Sequence, residues 1–428
     1  MRVAMVANWW YRRGGLGGVM LDETSWLSGR GHEIMPFAAA HPANLPASTS
    51  RFFPPFVETA ELGAGLVPFE RLRAARAVIH NRDAARLFAE FIRSVRPDLV
   101  HLHGMVRQLS PSILGVAREA GLPIVMTLHD FGLVCPQGLM WKGGRSACTT
   151  PNCVLGNPLY ALRFRCIKDS FAGSALGSVE YLVHRSLGWY RERVQLFIAP
   201  SRFLMDTVGR SGAVDPSRLR HLPNGLSVPS QLVDVPQTGG HVLFTGRLVP
   251  EKGLMVLIDA ARRLPRVPFV IAGDGPLREE LSRAAPSNVS FLGHQEADKL
   301  DELRDQAVAV VSPSVWYENA PLAVLEAMRA SRAVVVTEPG GQAELIANGG
   351  GIVVRAGEVE GLAAAVAALW EDRLLARRVG SIGRQTFLAS YSADRHVEGL
   401  EAIYLEALRM AEDVDVSWSL STRRRPPN

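Results

Sequence analysis

The stretch "AVAVVSPSVWYENAPLAVLEAM" (residues 307–328) contains one complete strand–loop–helix unit. Its first five residues form a continuous apolar run, which is typical of a strand buried on both faces of a parallel sheet. A polar loop follows, and Pro321 suits the first position of a helix. Because near-continuous apolar strands separated by helices indicate a parallel sheet covered on both faces, this unit predicts an α/β fold.

The same unit recurs through both halves of the chain, so the sequence predicts two Rossmann-like, doubly wound domains facing across a cleft. Strands are predicted at 2–7, 31–39, 97–103, 122–129, 195–200, 241–246, 268–273, 289–293, 307–314, 332–337 and 350–354. The predicted parts are a first domain (1–222) with a cysteine-containing insertion (about 135–166), a linker (223–240), a second domain (241–392), a helix returning to the first domain (393–411) and a disordered tail (412–428).

Composition narrows the function classes. The chain has 428 residues, 47% of them hydrophobic and 21% charged, with a net charge of +5, as in an ordinary globular protein. No apolar run approaches the roughly 20 residues that cross a bilayer, and "MRVAMVAN" begins directly as a strand, so a cytoplasmic location is expected. Zinc-finger spacing, basic heptads and aromatic RNA-binding motifs are absent from the sequence, so no nucleic-acid partner is expected. Its Arg, Ala and Gly richness is typical of a GC-rich bacterial genome.

Polar residues gather where the strands of the second half end, and ligands bind at that edge of open α/β sheets. They lie in "GRLVPEKG" (Arg247, Lys252), "GDGP" (Gly273, Asp274, Gly275), "YENAP" and "EPGGQAE". Cations, glycine turns and helix N-termini together suit a diphosphate and leave no need for a metal. The alternative is that Arg247 and Lys252 are solvated loop charges.

Two glutamates flank the start of the helix in the opening stretch. The alternative for Glu318 is a purely structural role, in which the dipole at the helix N-terminus stabilises its carboxylate by about 0.3–1 kcal/mol. The alternative for Glu326 is that it is a solvated residue on the helix surface, paired with Arg329. However, the predicted helix is almost wholly apolar, so Glu326 is expected to be buried and to need hydrogen-bond partners. Sugar and ribose hydroxyls would supply partners to both carboxylates.

The ordered set "GRLVPEKG", "GDGP", "ENAPLAVLEAM" and "PGGQAELI" resembles the donor half of the GT-B glycosyltransferases of family 4, over residues 240–390. "RGGLGG", "PDLVHLHG" and "VMTLHD" are similar to its first half. The resemblance excludes the Pro-rich loop, the cysteine insertion and the tail. It implies transfer of a sugar from a nucleotide-diphosphate sugar, with retention of configuration and no cofactor. One departure is Asn319–Ala320, where the family often has Phe-Gly.

The resemblance also implies roles for single residues. Arg247 and Lys252 would bind the diphosphate and stabilise the leaving group, Glu318 would lie at the donor sugar, and Glu326 would hold the ribose. His129 would face the donor sugar from across the cleft. Further donor-binding residues implied by the resemblance are Gly15, Leu16, Gly17, Gly273, Asp274, Gly275, Asn319, Ala320, Pro321 and Leu322. With no evident nucleophile in the sequence, front-face transfer is expected.

Alternatives remain for the activity and the acceptor. Another GT-B enzyme, of epimerase or phosphorylase type, is one, although the sequence gives no signal for a lysine-anchored phosphorylase cofactor. A degenerate carbohydrate-binding protein is another, and the intact charged residues argue against it. A surface polysaccharide, a lipid-linked glycan and a natural product are all open as acceptors, and so is the oligomeric state.

Three further segments carry predictions. "RRGGLGG" fails the dinucleotide fingerprint because Met20 stands where its last glycine is needed, so NAD binding is not expected. His101 and His103 of "HLHG" are expected to be structural. The region 160–194 is predicted to be helical, basic and aromatic, with a membrane contact and a first-domain core helix as alternatives.

The four cysteines all fall between residues 135 and 166. They are Cys135, Cys148, Cys153 and Cys166, separated by 12, 4 and 12 residues. They lack a C-x-x-C knuckle, so structural zinc and free thiols are alternatives. No active-site metal is expected.

Overall fold

The computed structural model describes residues 1–56, 77–149, 152–229 and 231–422, with the backbone alone for 413–422. Its strands form two six-stranded sheets, in which every strand pair is parallel, and one two-stranded antiparallel hairpin. The predicted pair of Rossmann-like α/β domains is confirmed. None of the helices in the described part of the chain is long and apolar enough to cross a membrane.

The first domain contains eight strands and seven described helices. The strands are β1 (Arg2–Val6), β2 (Glu33–Phe37), β3 (Leu99–His103), β4 (Ile124–Thr127), β5 (Trp141–Lys142), β6 (Ser146–Ala147), β7 (Leu196–Ala199) and β8 (Leu219–His221). The helices are α1 (Gly14–Gly29), α2 (Arg82–Val95), α3 (Ser112–Glu119), α4 (Leu159–Arg163), α5 (Phe171–Ser186), α6 (Trp189–Arg193) and α7 (Arg202–Arg210). The sheet order is β2-β1-β3-β4-β7-β8, while β5 and β6 form the hairpin inside the cysteine insertion.

The second domain repeats this architecture. Its strands are β9 (His241–Thr245), β10 (Phe269–Ala272), β11 (Val289–Gly293), β12 (Ala307–Ser312), β13 (Ala333–Glu338) and β14 (Gly351–Arg355). Its helices are α8 (Leu254–Arg263), α9 (Arg278–Ala284), α10 (Ala297–Asp305), α11 (Leu322–Arg329), α12 (Gly341–Leu345), α13 (Val359–Glu371) and α14 (Arg373–Ser390). The order β11-β10-β9-β12-β13-β14 puts β9 and β12 side by side at the centre. The loops that follow these two strands therefore start next to each other.

Two helix starts differ from the prediction. The glycine-rich sequence after β1 predicts a loop followed by a helix near 18–30, but helix α1 begins at Gly14, so these glycines form its first turn. The reason is close packing, since a Cβ at Gly17 would lie 2.6 Å from the Tyr11 carbonyl oxygen. Pro321 caps helix α11 rather than opening it, because its ψ of 123° is extended. The sequence also predicts an amphipathic, Arg-rich helix at 70–95, and the first part of that segment lies outside the described residues.

The final helix, α15 (Ala393–Thr422), returns to the first domain. Its buried Val397, Leu400 and Tyr404 share one apolar cluster with Val3 and Met5 of β1. The backbone stays helical as far as Thr422, within residues 412–428 that the sequence predicts as a disordered tail. Between Ala393 and Pro426 the sequence contains no proline that would end the helix.

The linker and the returning chain cross between the domains side by side. Leu226 donates its N–H to the Tyr391 carbonyl at 3.0 Å and accepts a bond from the Ala393 N–H at 2.9 Å. The two crossings are therefore hydrogen-bonded to each other.

Helix α14 offers a test of this packing. A Cβ at Gly380 would lie 2.1 Å from the Ser331 carbonyl oxygen, whereas a Cβ at Gly115, inside α3, would meet nothing within 4 Å. We expect Gly380→Ala to lower the free energy of unfolding by about 1–3 kcal/mol through overpacking, and Gly115→Ala to leave it unchanged or raise it by up to about 1 kcal/mol. Thermal unfolding followed by circular dichroism compares the two, and equal melting temperatures would contradict the packing described.

Candidate active site

Glu318 is a buried carboxylate in the loop after β12. Its Oε1 accepts hydrogen bonds from Lys252 Nζ at 2.6 Å, Ser314 Oγ at 2.5 Å and Trp316 Nε1 at 2.9 Å. Burial by itself raises the pKa of Glu318, but the charge of Lys252 and these bonds hold it below its ordinary value. Glu318 is therefore ionised and fixed in orientation. Lys252 arrives from the loop after β9, so the structure brings together the two charges that the sequence placed in separate motifs.

Arg247 lies in the same loop as Lys252 and is largely exposed, with Nη2 3.8 Å from Oε1 of the buried Glu251. The "GDGP" turn packs directly against this loop. A Cβ at Gly273 would lie 1.8 Å from the Gly246 carbonyl oxygen, and Leu248 donates its N–H to the Asp274 carbonyl at 2.9 Å. Glycine is therefore required where the two loops touch.

The environment of Glu326 differs from the expected one, in which its carboxylate is buried and bonds to a ligand. Its side chain is 26% exposed, and its Oε2 accepts a hydrogen bond from Arg304 Nη2 at 2.7 Å. The alternative partner Arg329 instead bonds to Asp301 at 2.7 Å. The reason is that α10 supplies the buried Arg304, which the local helix spacing around Glu326 could not indicate.

The loop that carries Glu318 also joins the two domains. Asn319 Nδ2 donates to the carbonyls of Leu128 (3.3 Å) and His129 (3.2 Å), and its Oδ1 accepts from Ser201 Oγ at 2.6 Å. Tyr317 donates its hydroxyl to the Cys148 carbonyl at 2.9 Å. The side chain of Asn319 is thus engaged with the first domain, which leaves its backbone for the donor-binding role that the family resemblance implies.

A second contact across the cleft involves Glu344 of α12. Its carboxylate accepts hydrogen bonds from the backbone N–H groups of Arg202 (2.8 Å) and Phe203 (2.6 Å), at the start of α7. Sequence reasoning missed Glu344, Ser201, Ser314 and Trp316. Signals existed for Glu344, which is the last residue of the "EPGGQAE" motif, and for Trp316, whose indole N–H needs an acceptor when it is buried beside an acid two residues away.

His129 lies after β4 beside the start of α1. Its Nε2 is 3.0 Å from His103 Nδ1. Burial, together with the neighbouring His103, lowers the pKa of His129 to about 3, so the ring is neutral at physiological pH. A Cβ at Gly104 would meet Leu16 Cδ1 at 2.9 Å and His129 Cδ2 at 3.9 Å. The glycine turn of α1 and His129 are therefore neighbours.

Two facing α/β domains with charged loops at the cleft are the architecture of a GT-B glycosyltransferase. The chain belongs to glycosyltransferase family 4: residues 13–228 match "Glycosyltransferase Family 4" and residues 233–386 match "Glycosyl transferases group 1". It is a glycosyltransferase of the kind that transfers sugars from nucleotide sugars.

Individual relatives differ in what they make. The chain is 26% identical over 330 residues to a glycogen synthase of Mycobacterium tuberculosis, covering 74% of this chain and 70% of that protein. It is 33% identical over 175 residues to an alpha-D-kanosaminyltransferase of Streptomyces kanamyceticus, covering 39% and 45%.

Solved structures share the fold at low identity. A sucrose-phosphate synthase from Thermosynechococcus elongatus aligns with a TM-score of 0.66 at 16% identity, covering 97% of this chain and all of that one. Anabaena HepE, solved in complex with UDP and glucose, aligns with a TM-score of 0.60 at 16% identity, covering 93% and 98%.

The four cysteines are unpaired and line one cavity of about 30 Å³ beside the β5–β6 hairpin. Burial and neighbouring thiols raise the pKa of Cys148 to about 12, and burial is the main reason that the pKa of Cys153 rises to about 11. Over the described ranges, Glu23, His101 and His103 form the one group of three or more potential ligands whose atoms lie within 4.8 Å of one another. The sulfurs are thus more widely spread than zinc–sulfur bonds of about 2.3 Å require, and the zinc alternative stays a prediction.

This spread favours free thiols. We expect metal analysis of the purified protein to find no stoichiometric zinc, and a thiol reagent to titrate four cysteines in the denatured chain. About one zinc per chain, lost in Cys148→Ser, would contradict that expectation and assign the cluster to a metal.

Proposed function

We propose that this protein transfers a sugar from a nucleoside diphosphate to an acceptor with retention of anomeric configuration, with Glu318, Lys252, Arg247 and His129 as its central residues. The observation that carries the proposal is the buried Glu318 carboxylate, held by Lys252 at 2.6 Å beside the contacts that reach His129. A buried, oriented charge pair at a domain cleft is more than a folding requirement, because such pairs contribute little net stability.

The donor diphosphate lies between the loop after β9 and the start of α1. Arg247 is exposed and faces solvent, and Lys252 supplies a compact ammonium next to it. Helix α1 has no acidic residue in its first turn and no side-chain cap, so the N–H groups of Gly15, Leu16 and Gly17 remain for phosphate oxygens. These groups neutralise the leaving group as charge develops on it, without a metal.

The donor sugar and ribose fall on either side of the diphosphate. Among the described residues, no hydrogen-bond donor reaches Glu318 Oε2, which is positioned to accept from a sugar hydroxyl. Glu326, oriented by Arg304, holds the ribose hydroxyls with its remaining oxygen. In this proposal the two glutamates, eight positions apart in the sequence, bind the two sugar rings on either side of the diphosphate.

Retention follows from a front-face displacement. Glu318 is fixed through Oε1 by three donors, and its role is to orient the sugar rather than to attack it. The leaving phosphate takes the acceptor proton while the acceptor oxygen bonds to the anomeric carbon on the same face. An epimerase would act on the nucleotide sugar without an acceptor, and a phosphorylase would move the sugar to or from inorganic phosphate, so release of nucleoside diphosphate that depends on a glycosyl acceptor separates these alternatives.

The acceptor approaches from the first domain, where a surface feature favours one that is linked to lipid. Helix α5 exposes Phe171, Val179 and Leu182 on one face, since they lie eight and eleven residues apart from its start. Further exposed apolar side chains nearby are Leu155, Leu159, Tyr160 and Leu187, and exposed cations nearby are Arg163, Arg165 and Lys168. An apolar stripe with flanking cations suits an anionic membrane surface.

Glu318→Gln tests the site. The amide keeps the shape but leaves Lys252 without its charge partner, so we expect kcat/KM for transfer to fall about 10²- to 10³-fold. Sugar-nucleotide donors are first screened by thermal shift and hydrolysis, and Glu371→Gln, at an exposed position of α13, is the matched control. Unchanged turnover in Glu318→Gln would overturn the site, and no response to any sugar nucleotide would overturn the function.

Vesicle flotation tests the membrane contact. We expect the wild type to float with vesicles that contain phosphatidylglycerol and not with pure phosphatidylcholine. The double variant Phe171→Ser/Leu182→Ser should remain at the bottom, whereas Leu374→Ser, which removes a more exposed leucine on the second domain, should float like the wild type. A wild type that stays unbound would rule the contact out.

A further inference from the structure

A chain of buried polar side chains runs from the core of the first domain to His129. We propose that Glu23 of α1 and His103 of β3 are positioning residues for the transfer reaction, fixing the tautomer and orientation of His129 in the cleft. The inference rests on the proposed function, in which His129 faces the donor sugar.

The geometry of the chain is continuous. Glu23 and His103 are 1% and 0% exposed. Glu23 Oε2 lies 3.4 Å from His103 Nε2, and within the described residues neither of these buried atoms makes a hydrogen bond, which leaves each as the available partner of the other. His103 Nδ1 is 3.0 Å from His129 Nε2, with the two rings stacked at 5.2 Å. Three side chains from three elements therefore form one line ending at the cleft.

The proton positions follow from the ionised acid at the inner end. Burial raises the pKa of Glu23, but His103 and His396 together hold it well below its ordinary value. A carboxylate only accepts, so Nε2 of His103 carries a proton, and in the neutral form of His103 the Nδ1 atom is then bare. His129 must then donate from Nε2, which leaves its Nδ1 as an acceptor for a sugar hydroxyl.

His396 of α15 balances the buried charge. Its Nε2 lies 3.0 Å from Glu23 Oε1, and its Nδ1 lies 2.7 Å from the Pro223 carbonyl oxygen. Both partners only accept, so both ring nitrogens carry protons. Burial lowers the pKa of His396, but the bond to Glu23 and its charge raise it above the ordinary value. The returning helix thus keeps Glu23 ionised.

The remaining polar groups around Glu23 are already engaged. His101 lies with Nδ1 2.7 Å from the Tyr404 hydroxyl and Nε2 2.8 Å from Thr127 Oγ1. Both ring nitrogens of His101 therefore already have hydrogen-bond partners. Its Nδ1 lies 3.8 Å from Glu23 Oε2, which is too far for a further hydrogen bond. This leaves His103 as the route from the carboxylate to the cleft.

The test combines a spectroscopic and a kinetic readout on the full chain. In the wild type, ¹⁵N chemical shifts of the His129 side chain should show a single neutral tautomer protonated on Nε2. In Glu23→Gln and His103→Phe, that signal should shift towards a mixture or the other tautomer. In both variants kcat should fall about 10- to 100-fold, while the Kd for free nucleoside diphosphate stays unchanged.

Glu401→Gln is the matched control, because Glu401 anchors α15 through Arg30 and His32 without touching this chain. It should keep wild-type kcat and the wild-type tautomer. Wild-type kcat in both folded variants, or a His129 protonated on Nδ1 in the wild type, would overturn the inference. If the wild type transfers no sugar at all, the proposed function fails, and the ¹⁵N signal still decides whether Glu23 sets the tautomer.

Discussion

The Glu318–Lys252 ion pair is the interaction on which the cleft depends. A buried carboxylate requires donors, and here they come from the loops after β9 and β12, which the sheet order sets side by side. The close approach of glycines 246 and 273 then adds the loop after β10. The donors required by Glu318 and the packing of the two glycines therefore bring the loops of three neighbouring strands together.

Residues on either side of Glu318 in sequence face the other domain. Tyr317 and Asn319 bond to Cys148, Ser201 and the backbone around His129. A buried acid flanked by two polar side chains that contact the other domain can bind a ligand and the opposite domain at once. A movement of one domain relative to the other would therefore move the loop that holds the Glu318 carboxylate.

Most of the fold could be predicted from the apolar runs, which indicate the strands, and from the order of the motifs along the chain. The strand at 289–293 has the predicted limits, because the β-favouring Val289 and Phe291 and the closing Gly293 are local signals. The start of α1 was misplaced because glycines favour loops unless tertiary packing demands them, as it does at Gly17. The site residues came from motifs, but their partners did not. Arg304 for Glu326 and Ser201 for Asn319 lie far away in sequence, and local spacing holds no signal for such pairs.

The pairing of Glu23 with His396 spans 373 residues, and this separation has a consequence for biosynthesis. A ribosome releases the whole sheet of the first domain long before it makes the helix that neutralises Glu23 and covers Val3 and Met5. Until then, the nascent first domain holds an uncompensated acid and an open apolar face. Its final packing must therefore wait until the second domain has emerged, so the first part of the chain to be synthesised is among the last to be completed.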